Sequence, residues 1–198
     1  MTRLSLFSML FGIIAGCFFI PDSFLPHMNQ AMSIILNGII FFIGIDIGLN
    51  KHMFKNLRKY GKLIIYIPVG IIVGSLGGGC LAGLIFHIPM NISFAIASGF
   101  GWASLSGIIL TNLHNVEIGT IAFLTNIFRW TISMISIPYI AEYLNFYTTI
   151  APAGATSMDS ALPMISKNTC TEVVVVSLLN GMILTFLVPI LVPFFYSF

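Results

Sequence analysis

Charge is what this sequence has least of. Only 7% of its 198 residues are Asp, Glu, Lys or Arg, where a soluble domain carries about 25%. A chain of this size has too little interior to hide so much apolar surface from water. A water-soluble globular domain is excluded, and lipid is the solvent that the composition requires. Cysteine is scarce as well. Cys17, Cys80 and Cys170 stand far apart, in or beside apolar runs, and no pair has metal or redox spacing. They read as inert small hydrophobes. The strings that mark enzymes are missing too. There is no His-Glu-x-x-His, no Gly-x-Ser-x-Gly and no phosphate-cradling loop. His27, His52, His87 and His114 fall in or near loops and form no metal constellation. No catalytic group, metal or cofactor is expected. No basic stripe interleaves with aromatics, so nucleic acid is not an expected partner.

What the chain does have is long apolar runs. A spanning helix needs about 20 apolar residues. Runs of this kind cover 4–20, 28–49, 63–88, 92–113, 118–140 and 173–196, with a weaker run over 146–165. The spacing predicts an all-α, polytopic transmembrane helical bundle of six to seven spans, two of them broken or re-entrant. No polar linker divides it, so residues 1–198 read as one membrane domain. Arg3 and the run into Ile14-Ala15-Gly16-Cys17 resemble a lipoprotein signal. The run continues through Phe18, Phe19 and Ile20, however, so residues 1–20 read as a span.

Five of the eight basic residues, Lys51, Lys55, Arg58, Lys59 and Lys62, share one short loop. Positive charge in short loops marks the cytoplasmic side. Arg3, two spans earlier, then lies inside as well, which places the N-terminus in the cytoplasm. If 150–165 re-enters, the C-terminus is inside; if it crosses, the C-terminus is outside. Gly70, Gly74, Gly78, Gly79 and Gly83 put small residues along the third span, a face that lets another helix approach closely.

Two small-residue stretches interrupt the runs. One is 99–107, Gly-Phe-Gly-Trp-Ala-Ser-Leu-Ser-Gly, with Gly101, Trp102, Ser104 and Ser106. The other is 151–159, Ala-Pro-Ala-Gly-Ala-Thr-Ser-Met-Asp, with Thr156, Ser157 and Asp159. Glycine and proline loosen a helix, and the freed backbone groups must be satisfied inside the protein or by water. Transporters place such broken helices in pairs near the midplane, where exposed amides attract a carboxylate and exposed carbonyls a cation. Plain close packing through small residues is the bland alternative.

Three charges stand inside the apolar runs. Arg129 lies near the centre of a span, at a cost of at least about 2.5–3.5 kcal/mol on insertion scales. It needs a protein interior, water, or a carboxylate such as Asp159, Asp46 or a substrate's. A structural ion pair is the plain alternative. Asn126, one turn earlier, shares its face. Asp46 sits near a cytoplasmic end, where it either reaches the interface or binds a cation or proton. Glu117 stands where a helix N-terminus welcomes negative charge. Asp22, Glu142 and Glu172 read as loop or helix-end charges.

The stretch 97–107, Ala-Ser-Gly-Phe-Gly-Trp-Ala-Ser-Leu-Ser-Gly, resembles a signature of the LysO lysine exporter family. So do 42–48 (Phe-Ile-Gly-Ile-Asp-Ile-Gly), 119–123 (Gly-Thr-Ile-Ala-Phe) and 153–159, the last followed by Leu162-Pro163. The motifs occur in the family's order and cover about 35–195. The resemblance implies a secondary transporter of the cell inner membrane that exports L-lysine by exchange for protons. The family's acidic residue of the Ser-Met-Asp motif maps onto Asp159, and its arginine onto Arg129. Family members typically carry a glutamate directly after that arginine; here the position is Trp130. Typical members are also longer at the N-terminus, which suggests pairing with a separate short membrane subunit or with a second copy. The rival readings are a non-catalytic subunit of a two-component transporter and a channel. On the transport reading, Asp159 and Asp46 take the ammonium group or a proton. Arg129 takes the substrate carboxylate or holds Asp159 ionised, and the two broken stretches line the site.

Overall fold

The computed structural model describes residues 61–198, together with Ile45. The expected spans over 4–20 and 28–49, Asp46, Cys17, and Lys51, Lys55, Arg58 and Lys59 of the basic loop lie outside the described residues. The chain divides into two compact units, Met1–Asp46 and Ile47–Phe198, and residues 61–198 belong to the second. Every described element is helical, and three helices are long and apolar enough to cross a membrane.

The first, α1, runs from Leu63 to Phe86. It stops where His87 turns left-handed at φ 55° and the Ile88 N–H donates to the Gly83 carbonyl at 3.0 Å. Pro89 follows, and it cannot extend a helix backwards. The expected 92–113 span is two pieces, α2 (Met90–Ala97) and α3 (Ala103–Leu113). The next helix, α4 (Val116–Tyr143), starts on a built cap. Asn115 Oδ1 accepts the Ile118 N–H at 2.9 Å, and Glu117 stands in the first turn, satisfying and complementing the free amides there.

The weak run is fragmented rather than helical throughout. It comprises a 3-10 turn over Phe146–Thr149, the short α5 (Ile150–Ala153), a second 3-10 turn over Gly154–Met158, and α6 (Leu162–Asn168). The last helix, α7 (Thr171–Ser197), is the core. Val173, Val176, Leu184, Val188 and Val192 are buried along it, and α1, α2, α3, α6 and the 154–158 turn all pack against it.

The outer faces are apolar. Phe128, Ile132, Ile135 and Tyr139 of α4 are each more than 60% exposed and recur at helical spacing on one face. Ile65, Val73 and Ile85 of α1 are exposed to the same degree. Such a surface suits lipid, where the helix satisfies its own backbone. Of the glycines expected to make a packing face on α1, two do so. A Cβ at Gly79 would stand 2.7 Å from Ala97 Cβ, and one at Gly83 would stand 2.6 Å from Ser93 Oγ, so α2 lies directly on them. Gly70, Gly74 and Gly78 have nothing within 4 Å among the described residues.

Candidate functional site

The first break is narrower than the sequence suggests. Only residues 98–102 leave the helix, and α3 resumes at Ala103, so Ser104 and Ser106 are helical. Two left-handed residues make the break, Phe100 at φ 45° and Gly101 at φ 98°. A side-chain-bearing residue in that region costs about 1–2 kcal/mol. The Phe100 ring is completely buried, which offsets that cost.

Asn126 holds this break from α4. Its Oδ1 accepts the Gly101 N–H at 2.7 Å. Its Nδ2 donates to Ser106 Oγ at 3.1 Å and to the Ala122 carbonyl at 2.9 Å. Ser106 Oγ in turn donates to the Trp102 carbonyl at 2.9 Å. A buried amide with every polar atom bonded fixes geometry as well as stability. Gly99 is required there, because a Cβ would strike Asn126 Nδ2 and Ser106.

The second break turns at Gly154, at φ 61°. The two breaks meet here: the Ala155 N–H donates to the Phe100 carbonyl at 2.8 Å. A Cβ on Gly154 would collide with that same carbonyl. Gly101 is also close, though less so, since a Cβ there would stand 3.2 Å from the Ala153 carbonyl. Backbone therefore touches backbone across the two expected stretches.

Arg129 lies beside this junction. Its Nε donates to the Pro152 carbonyl and its Nη2 to the Ala151 carbonyl, each at 3.3 Å. Its Nη1 donates to Ser75 Oγ of α1 at 2.6 Å. The guanidinium thus satisfies carbonyls freed where α5 ends, a place that favours positive charge. Arginine has five N–H donors; among the described residues these bonds use three and leave one on Nη1 and one on Nη2. The sequence suggested Asp159 as a partner, but Arg129 and Asp159 are not hydrogen-bonded to each other. Asp159 is exposed, and its carboxylate accepts from the backbone N–H and the hydroxyl of Ser160.

The remaining expected residues divide between the two breaks. Thr156 is half-buried, and its hydroxyl donates to the Ala153 carbonyl at 2.8 Å. Ser157 is fully buried, and its hydroxyl donates to the Ser177 carbonyl at 2.9 Å. Trp102 is half-buried ahead of α3, and Ser104 is exposed. Trp130 has a buried indole N–H with no partner among the described residues. Arg129, Asn126, Gly101 and Ser106 gather at the junction, with Thr156 and Ser157 in the turn beyond it, while Asp159 and Ser104 face outward.

Three residues at the site are not singled out by the sequence: Ser75, Ser177 and Asn180. Asn180 Nδ2 donates to the Gly154 carbonyl at 3.1 Å and to Ser157 Oγ at 3.0 Å. A signal was present. Ser177 and Asn180, three apart, are polar within an otherwise apolar span, and such residues face the interior of a bundle.

A family model described as "Lysine exporter LysO" matches residues 6–196. The chain is 35% identical over 175 residues to "Lysine exporter LysO" of Escherichia coli, covering 87% of this chain and 57% of that protein. It is 33% identical over 193 residues to a "Putative lysine exporter" of Haemophilus influenzae, covering 96% of both. It thus spans a little over half of the first relative and nearly all of the second. No solved structure matches. A match along nearly the whole chain places it: the protein is a member of the LysO lysine exporter family.

Proposed function

We propose that the chain exports L-lysine, or a related cationic amino acid, across the inner (plasma) membrane by exchange for protons. The observation that carries this is the junction itself. Two broken segments meet backbone to backbone at Phe100 and Ala155, and beside them stands an arginine with two donors that no described residue accepts. Broken helices at membrane depth border cavities. Arg129 receives the substrate carboxylate, because a planar guanidinium suits that group. Asp159, exposed at the end of the second break, takes the ammonium group or a proton. The names of the two relatives supply the substrate class.

The test is Asp159→Asn in cells lacking other exporters, challenged with a toxic lysine analogue. Protection should fall to that of empty cells at equal expression. Full protection would remove Asp159 from the mechanism. Protection absent even with the native chain would remove cationic amino acid export.

The 57% coverage of the Escherichia coli protein supports a second reading. In it the chain is one component of an assembly, completed by a separate short membrane subunit or by a second copy. Export only on co-expression with such a subunit would favour it, and export by the chain alone in liposomes would dismiss the separate subunit.

A further inference from the structure

The two breaks are held by two asparagines, from two different helices. Asn126 reaches the first from α4. Asn180 reaches the second from α7, through Gly154 and Ser157. One turn earlier on α7, Ser177 and Ser157 exchange bonds. Ser157 Oγ donates to the Ser177 carbonyl at 2.9 Å, and Ser177 Oγ donates to the Ser157 carbonyl at 2.8 Å. Gly181 completes the seat, since a Cβ there would stand 2.5 Å from Met158 Cβ. The whole 154–158 turn is thus received by 177–181 of α7.

The two asparagines differ in one respect. Every polar atom of Asn126 is bonded. Asn180 is 1% exposed, and its Oδ1 has no partner among the described residues. A buried amide oxygen without a donor costs free energy that an apolar side chain of similar volume would avoid. Stability alone therefore does not favour asparagine here. What only the amide supplies is the pair of donations that fix the Gly154 carbonyl and the Ser157 hydroxyl. Gly154 is where the chain turns against Phe100 and the Arg129 guanidinium.

We infer that Asn180, with Ser177 behind it, is a positioning residue of the transport site. This role rests on the transport reading above. Asn180 does not touch the substrate; it holds the 154–158 turn so that Arg129 at one end and Asp159 at the other keep a fixed separation. A fixed separation between a carboxylate receiver and an ammonium receiver discriminates by side-chain length. Loosening the turn lowers the preference for lysine over ornithine, which is one methylene shorter.

The experiment uses the full chain in proteoliposomes, with the native protein, Asn180→Leu and Ser177→Ala. Half-saturation and maximal rate are measured for lysine and ornithine, per amount of monodisperse protein. The lysine-to-ornithine preference should fall about five- to tenfold for Asn180→Leu, which removes both donations of the amide. Ser177→Ala should lower it less. A merely structural role would lower both substrates in proportion and leave the ratio unchanged, and that result overturns the inference. If Asn180→Leu does not fold, Ser177→Ala decides alone.

A second readout does not depend on transport. With Cys17, Cys80 and Cys170 replaced by alanine, Ala155→Cys reports access to the turn by its maleimide labelling rate. Adding Asn180→Leu, or Ser177→Ala in its place, should speed labelling several-fold; an unchanged rate overturns the clasp. Faster labelling in a protein that carries no lysine would keep the clasp and remove the transport reading.

Discussion

Replacing Asn126 by leucine should unfasten the first break. Leucine keeps the number of heavy atoms and the branch at Cγ, so the main change is the loss of the amide's hydrogen bonds, with some overpacking from its bulkier methyl groups. The Gly101 N–H loses its only side-chain acceptor, a bond of 2.7 Å in a buried place. An orphaned buried donor costs about 1–3 kcal/mol. The bond to Ser106 Oγ, at 3.1 Å, adds about 0.6 kcal/mol, the average for such contacts between helices in membranes. The Ala122 carbonyl, four residues back on the same helix, contributes little, because it keeps its helical partner. The expected loss is about 2–4 kcal/mol. Equilibrium unfolding in mixed micelles measures it, with Thr131→Ala as the control. Thr131 is exposed on α4, its hydroxyl bonds only its own helix at the Ile127 carbonyl, and its loss should stay within about 0.5 kcal/mol. Lysine flux should fall with Asn126→Leu even at temperatures where the protein remains folded, because Gly101 is no longer held. A stability change no larger than the control's, with normal flux, would refute the idea that Asn126 fastens the break.

Other perturbations act on the same geometry. Gly154→Ala puts a side chain at φ 61° and against the Phe100 carbonyl; it should cost more than the about 1–2 kcal/mol of the backbone strain alone, read by thermal unfolding in detergent. Arg129→Lys keeps the charge but cannot reach Ser75, Ala151 and Pro152 together; lysine flux should drop at least about tenfold, because a point charge does not replace a planar fork. Asn115→Ala removes the cap of α4 and should cost about 0.5–2 kcal/mol while leaving the half-saturation constant for lysine unchanged.

The outline of the site is legible in the sequence because membrane helices obey few rules. The ends of α1, α4 and α7 lie within a few residues of the apolar runs that announce them, since lipid penalises a polar residue wherever it intrudes. The breaks are legible from Gly, Pro and hydroxyl content, and Asn126 from its place one turn before Arg129. Their extent is not. Nothing in 99–107 says that Ala103 restarts a helix, because that depends on Phe100 accepting a left-handed turn in return for complete burial. The partners of Arg129 are hidden for a similar reason. A lone cation in a span suggests a carboxylate, but freed carbonyls at the end of α5 serve as well, and they are invisible until the chain is seen to break. Asn180 shows in the sequence as a polar residue that faces the bundle interior, but a single amide in an apolar span does not name its partner.

The most direct test of transport is lysine uptake into proteoliposomes carrying the native chain, loaded at equal lysine inside and out, with a proton gradient then imposed. Exchange for protons predicts net movement of lysine against its own gradient, opposite in direction to the protons, and abolished by Asp159→Asn. Lysine that only ever runs down its gradient, at a rate indifferent to the protons, would indicate a channel and contradict exchange.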